Sequence, residues 1–532
     1  AACAVLLVMG GQSPTLFWIA AVGATALAAL FILWSGRAVA LADLTALPAL
    51  TLLALIALPE LSQPVQSAMS ARAAELAEQT ETRMPLEITA LFGMGLLLTL
   101  IAAWRSLRCA HHPLAWAGFA TLIAPLTGLA LELSWQPAQS IGAWPWALHA
   151  LGLAALLTLL AERYGRRDGA DRLRPALAGI AALASLAFAC TVLLTSAALT
   201  LALATTVLAA AALDRRFQLP PMEYYILAGV VALGYRLGFD PGLDWATRAP
   251  VFEMLAAYGG STALLGLALM TLPDRPRARV MVESAAWAAG GMTLTLGLYH
   301  LFAAFTETAR ETHWSFGLYG TIWAVLALVQ LERMRLGGSL GWLRMGLAGI
   351  FGLTSAGFVL LAIGPANPLL QREVIVGPPL LNSLMAAYLL PALVLGLGAW
   401  RMVWQSMALR AFVALVGLTL GVLWAGLSIR HLWRGSDGML LSAGVTQPEL
   451  YSYTVALLLV GAVLFYQALA RRSDMLRRIG TGVIALAVAK VFLIDASGLN
   501  GLARVLAFLL LGLSLAGLAW LNRWAGHKAR NP

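Results

Sequence analysis

The sequence predicts an all-α integral membrane protein, an array of about 17–18 transmembrane helices in up-down hairpins with both termini in the cytoplasm. Three observations carry that prediction. Hydrophobic residues make up 60% of the 532, charged residues only 11%, and mean hydropathy is +0.81, well outside soluble globular usage. Apolar runs of about 20 residues, the length that crosses the hydrocarbon of a bilayer, recur along the whole chain. Arginines fall in every second connection between those runs. In hydrocarbon each helix satisfies its own backbone and helices meet through small side chains, which suits the 50 glycines.

The segment from Ala1 to Gly10 is shorter than a span, lacks a basic leader and reads as the end of a helix that begins upstream. Spans follow at roughly 15–34, 38–58, 86–105, 113–133, 143–162, 174–193, 194–213 and 221–238. They continue at roughly 252–271, 282–304, 315–333, 341–363, 379–400, 408–430, 450–470, 477–495 and 501–523. Only Thr195-Ser196 marks the turn inside 174–213. The sizeable outer connection is 60–85, where Val65 to Arg83 is rich in Ala, Glu and Gln and reads as a polar or amphipathic helix on the outer surface. Trp135, Trp144, Trp245 and Trp314 stand at span ends suited to an aromatic belt. Residues 1–532 thus read as a single polytopic membrane domain.

The net charge of +10 follows from sidedness. Arg37, Arg105, Arg108, the group Arg163 to Arg174, Arg215 and Arg216 lie in alternate connections, and the series runs on to Arg477, Arg478 and the tail. That side holds 25 of the 35 basic residues but only ten of the 25 acids, so the opposite side is net acidic. The positive-inside rule makes the basic side cytoplasmic, as expected of a multi-pass protein of an inner, cytoplasmic membrane. The expected partners are membrane lipids and other membrane proteins, with no nucleic acid. Cys3, Cys109 and Cys190 form no disulfide or zinc pattern.

The last third carries further motifs. Gly377-Pro378-Pro379-Leu380-Leu381-Asn382 leads into a run ending near Leu389-Leu390-Pro391; Arg430-His431-Leu432-Trp433 is followed by Glu449-Leu450-Tyr451-Ser452-Tyr453; and Lys490-Val491-Phe492-Leu493-Ile494-Asp495 precedes Leu499, Arg504 and Phe508. In this order, over 377–523, they resemble the bacterial membrane-protein family known as domain of unknown function 2339. The resemblance implies a long array of membrane helices and no particular activity.

Several polar constellations stand out against the apolar background. Lys490 lies within a span, and a buried ammonium needs a partner or a route to water. Asp495 is five residues on, about 7.5 Å along a helix but rotated by about 140°, and Arg504 opens the next run, so Asp495 with Arg504 is the easier pair. The three read either as a proton or ion site near the outer leaflet or as a pin between the last two helices, and the pin is the expected role. His300, Glu307, Arg310 and Glu311 form a polar stripe, with His313 in the loop beyond, read as a solvated helix end or the lining of an outer cavity. Arg430, His431 and Arg434 opposite Glu449 form an outer basic patch with the donors to hold a phosphate or carboxylate. Asn382 is expected to satisfy backbone freed by Pro378 and Pro379.

His149, His300, His313 and His431 share the outer side without ligand spacing, so no metal and no cofactor is expected. No Gly-Lys-Ser phosphate loop and no His-Glu-x-x-His helix occurs, and Gly337-Gly338-Ser339-Leu340-Gly341 matches a nucleophile elbow in letters only, lying between two membrane helices. The leading functional reading is a non-enzymatic scaffold or assembly partner within the membrane. One alternative is a transporter-like protein for a small or lipidic substrate. Another is an envelope enzyme acting on a lipid-linked substrate at the outer face, with Glu60, Glu307 or Asp495 as its acid. The layout makes a direct prediction: single cysteines replacing Arg166 and Ser70 label with a membrane-impermeant maleimide from opposite faces, and labelling from one face contradicts it.

Overall fold

In lipid the backbone must close its own hydrogen bonds, and most of the runs that the hydropathy pattern marks as spans do so as helices. The computed structural model describes residues 1–38, 40–78, 86–108, 112–305, 307–335, 337, 340–379, 381–494, and positions 505, 509, 512, 513, 516, 517 and 520. Among these residues 13 helices are long and apolar enough to cross a membrane. Four expected spans differ. Met222–Gly238 is followed by Gly242–Arg248 at a 52° bend, Leu390–Arg401 is short and preceded by irregular backbone, Asp474–Leu493 carries Asp474, Arg477, Arg478 and Lys490, and 501–523 lies almost wholly outside the described residues. The weakly marked turn falls where expected, between Leu173–Leu193 and Ser196–Phe217. The long connection that the sequence marks over 60–85 begins with helix Pro59–Glu78, whose Arg72 pairs with Glu87 at 2.9 Å.

The described chain forms two compact units. The first comprises 1–297 and 337–342. Its two apolar cores center on residues such as Phe17, Leu55, Leu91 and Trp146, and on Val207, Ile226, Tyr258 and Leu265. Small residues set the helix spacing: a Cβ on Gly95 would come within 2.5 Å of Thr127 Oγ1, which leaves helices Leu86–Arg108 and Pro113–Trp135 in close contact. Polar ties lie at helix ends. The Arg174 guanidinium bonds Asp168 and donates to the Ser106 carbonyl at 2.8 Å, joining three helices. Fully buried Asp214 accepts two bonds from Arg275, at 2.9 and 3.0 Å, and one from the Leu219 N–H at 2.8 Å. Those bonds raise the pKa of Arg275 above the usual guanidinium range.

The second unit comprises 298–336 and 343–532. Helices His313–Met334, Gly341–Ile363, Leu390–Arg401, Met407–Arg434, Gln447–Arg471 and Asp474–Leu493 make up most of its described part. Pro391 has no N–H to close the preceding turn, and the backbone over Met385–Leu389 is π-helical. That turn packs directly on Gly317, where a Cβ would meet the Ala387 Cα at 2.3 Å and its carbonyl oxygen at 2.5 Å. Backbone cannot step aside as a side chain can. Gly317→Ala is therefore expected to lower stability by about 1–3 kcal/mol, while Gly357→Ala, with open space around it, changes it by less than about 0.5 kcal/mol. Thermal unfolding in detergent measures both.

Candidate functional site

One end of the second unit gathers most of the polar side chains singled out in its sequence. Helix Met407–Arg434 ends there and helix Gln447–Arg471 begins, its first turn closed by a capping box between Thr446 and Glu449. Arg430 is 3% exposed and Glu449 is fully buried. The guanidinium donates from Nη1 to Glu449 Oε1 at 2.9 Å, from Nε to the Met439 carbonyl at 2.9 Å, and from Nη2 to the carbonyls of Leu440 at 2.6 Å and Gly444 at 3.1 Å. Four of its five N–H groups are thus spent on protein atoms. Tyr453 Oη donates to Glu449 Oε1 at 2.9 Å, and Arg434 Nε lies 3.5 Å from Glu449 Oε2 while its Nη2 donates to the Ala443 carbonyl at 2.8 Å. The loop from Gly435 onward is in effect wound around two arginines.

His431 turns from that cluster toward Asn382, Nδ1 to Nδ2 at 3.1 Å, and Asn382 Oδ1 accepts the Leu384 N–H at 3.1 Å. The Asn382 carboxamide thus satisfies backbone at the start of the helix that follows the proline pair. The next residue, Ser383, belongs to a second group. Its Oγ lies 2.8 Å from His313 Nε2 and accepts the Val376 N–H at 3.3 Å. His313 is fully buried, its Nδ1 bonds Glu373 Oε2, and its backbone N–H donates to the same oxygen at 3.0 Å. Asn382 and Ser383 therefore make one continuous polar layer out of two clusters. Sequence reasoning placed His313 in a loop and passed over Glu373 and Ser383, which lie 60 and 70 residues away; the Gly377-Pro378-Pro379 lead-in was the available signal of irregular backbone there.

The remaining constellations are arranged differently. Lys490 Nζ donates to the Leu450 carbonyl at 2.8 Å and to Thr454 Oγ1 at 2.7 Å, both on the adjacent helix Gln447–Arg471. Asp495 and Arg504 lie outside the described residues. Of the stripe, Arg310 stacks 5.1 Å over the Tyr299 ring and donates to its hydroxyl at 3.0 Å, and His300 meets the same ring edge-on at 5.9 Å. Glu311 is exposed, and the Glu307 side chain lies outside the described part. No cluster of His, Cys, Asp or Glu able to hold a metal ion occurs among the described residues.

The first unit contributes a cavity of about 770 Å³ between helices Ala143–Asp168, Leu173–Leu193, Ser196–Phe217 and Met222–Gly238. Leu151, Ala154, Leu183, Leu213 and Met222 make most of its wall apolar, and Glu162, Arg166 and Arg172 stand at one end. Arg166 bonds Glu162 one turn before it.

No curated protein and no solved structure matches this chain. The sequence profile of a family described as predicted membrane protein, DUF2339, matches residues 1–524. The match extends far upstream of the motifs in 377–523 and takes in both compact units, so the chain belongs to the DUF2339 family of multi-pass membrane proteins.

Proposed function

We propose that this chain is a lipid-binding scaffold of the bacterial inner membrane, with both termini cytoplasmic, that seats an anionic phospholipid in the cavity of its first unit. The cavity carries the proposal. Its wall matches acyl chains, and Arg166 and Arg172 stand at the end where a headgroup phosphate would sit. The alternation of arginines supports a position for that end in the cytoplasmic leaflet, whose anionic lipids attract basic residues by about 1 kcal/mol each. The scaffold reading is favoured over ion-coupled transport by where the buried charges are. Arg174 with Asp168, Arg275 with Asp214, and Arg430 with Glu449 all lie at helix ends and bond one another. Such pairs tie helices together at their ends, where water is near, which is the work of a structural tie rather than of a relay across the apolar centre. Residues 1–532 act in this reading as one membrane domain, and Lys490 is a pin between the helices of the last described hairpin, holding the Leu450 carbonyl and Thr454.

Native mass spectrometry of the purified chain tests the lipid site. Phosphatidylglycerol is expected to be retained in preference to phosphatidylcholine, and Arg166→Ala with Arg172→Ala to weaken it by about 2 kcal/mol, roughly 30-fold. Leu183→Trp, which fills the cavity, should weaken both lipids. Equal retention of the two lipids, or no change in the double variant, contradicts the proposal.

A further inference from the structure

We propose that Ser383, His313 and Glu373 form a nucleophilic serine site that cleaves acyl esters of membrane amphiphiles. The inference is independent of the lipid cavity and rests on the order in which three groups are linked: carboxylate to His313 Nδ1, and His313 Nε2 to Ser383 Oγ at 2.8 Å. That is the order an acid–base relay requires. A carboxylate accepting from Nδ1–H fixes the tautomer and leaves Nε2 unprotonated toward the hydroxyl. The acid comes from an extended segment, the base from the first turn of one helix and the nucleophile from the start of another.

The surrounding structure holds each group in place. Thr312 and Ser315 cap the helix that begins with His313, and the ring has no exposure. Glu373 is fixed because the His313 N–H also donates to it, at 3.0 Å. Ser383 is flanked by Asn382, itself held by the Leu384 N–H and His431, and by the π-helical turn Met385–Leu389. Gly377 takes φ +109°, a left-handed value, and a Cβ there would meet the Leu381 carbonyl at 2.6 Å. That turn brings the Val376 N–H onto Ser383 Oγ. A purely structural tie needs no such order of acid, base and hydroxyl, and it would be met as well by an amide.

The substrate class follows from the loop that bears the site. On the segment that carries Glu373 and leads to Ser383, Leu370, Val374, Val376 and Leu381 are all more than half exposed, and Ser383 itself is partly exposed. They offer an apolar approach suited to an ester whose chains lie in the membrane. Ser383 Oγ attacks the ester carbonyl carbon as His313 Nε2 takes the hydroxyl proton, with Glu373 stabilising the imidazolium. The carbon–oxygen bond to the alcohol then breaks, and the departing oxygen receives that proton from His313. Water, activated by the same nitrogen, attacks the acyl-serine and releases the carboxylic acid, restoring Ser383. The reaction consumes one ester and one water and yields one acid and one alcohol.

The test is labelling of the whole chain 1–532, in lipid nanodiscs, with an alkyl fluorophosphonate, which phosphonylates an activated serine hydroxyl and leaves an ordinary one unmodified. Peptide mapping is expected to place the adduct on Ser383, with none on a heat-denatured sample. His313→Gln keeps a side chain able to hydrogen bond and should slow labelling by about 100-fold or more, the usual effect of losing a general base. Ser383→Cys adds a second readout: its thiol should alkylate with iodoacetamide faster when His313 is present than in Ser383→Cys with His313→Gln. A native chain with no adduct on Ser383, or a labelling rate indifferent to His313, overturns the proposal, and because the first result needs no variant it holds whatever the substitutions do to folding.

Discussion

The Arg430–Glu449 pair expresses the constraint on which the rest of the structure depends. A charge withdrawn from water must find its partner inside the protein, and the carbonyls of a connecting loop must have donors where water does not supply them. Arg430 does both at once, giving one N–H to a buried carboxylate and three to the carbonyls of Met439, Leu440 and Gly444. The connection between two membrane helices thereby becomes a defined structure. Glu449 closes the circuit by capping its own helix through the Thr446 N–H.

The same logic recurs wherever spans meet. Asp214 holds Arg275 and the Leu219 N–H, Arg174 holds Asp168 and the Ser106 carbonyl, and His313 holds Glu373 and Ser383. Between these ends the helices meet through small residues, with Gly317 against Ala387 and Gly461 against Gly480. Apolar packing discriminates weakly between registers when lipid is as apolar as the helix surface, so polar ties at the ends do much to select one arrangement. A tie whose members stand in the order acid, imidazole, hydroxyl has a chemistry that the others lack.

The hydropathy pattern made most of the fold legible, because it is one-dimensional: a span is a run of about 20 apolar residues. The bend after Gly238 and the π-helical turn at Met385–Leu389 were not legible, since Asp240-Pro241 and Pro391 break a helix without announcing the new path. The polar patch of Arg430, His431, Arg434 and Glu449 could be read locally because its members lie within one hairpin. The pairing of His313 with Glu373 and Ser383 could not, since it depends on how three helices return to one end. The need of Lys490 for a partner could be read from its place in an apolar run, but Leu450 and Thr454, its described partners, lie 40 and 36 residues away on another helix.

The most direct measurement of this account is a double-mutant cycle at the central pair, read as unfolding free energy in detergent micelles. Arg430→Met and Glu449→Leu alone should each cost about 3–5 kcal/mol, because each leaves a buried charge without its partner. Together they should cost clearly less than the sum of the two. Losses that simply add would mean that the pair is not coupled, and that the helix ends are held by something other than the buried polar ties described above.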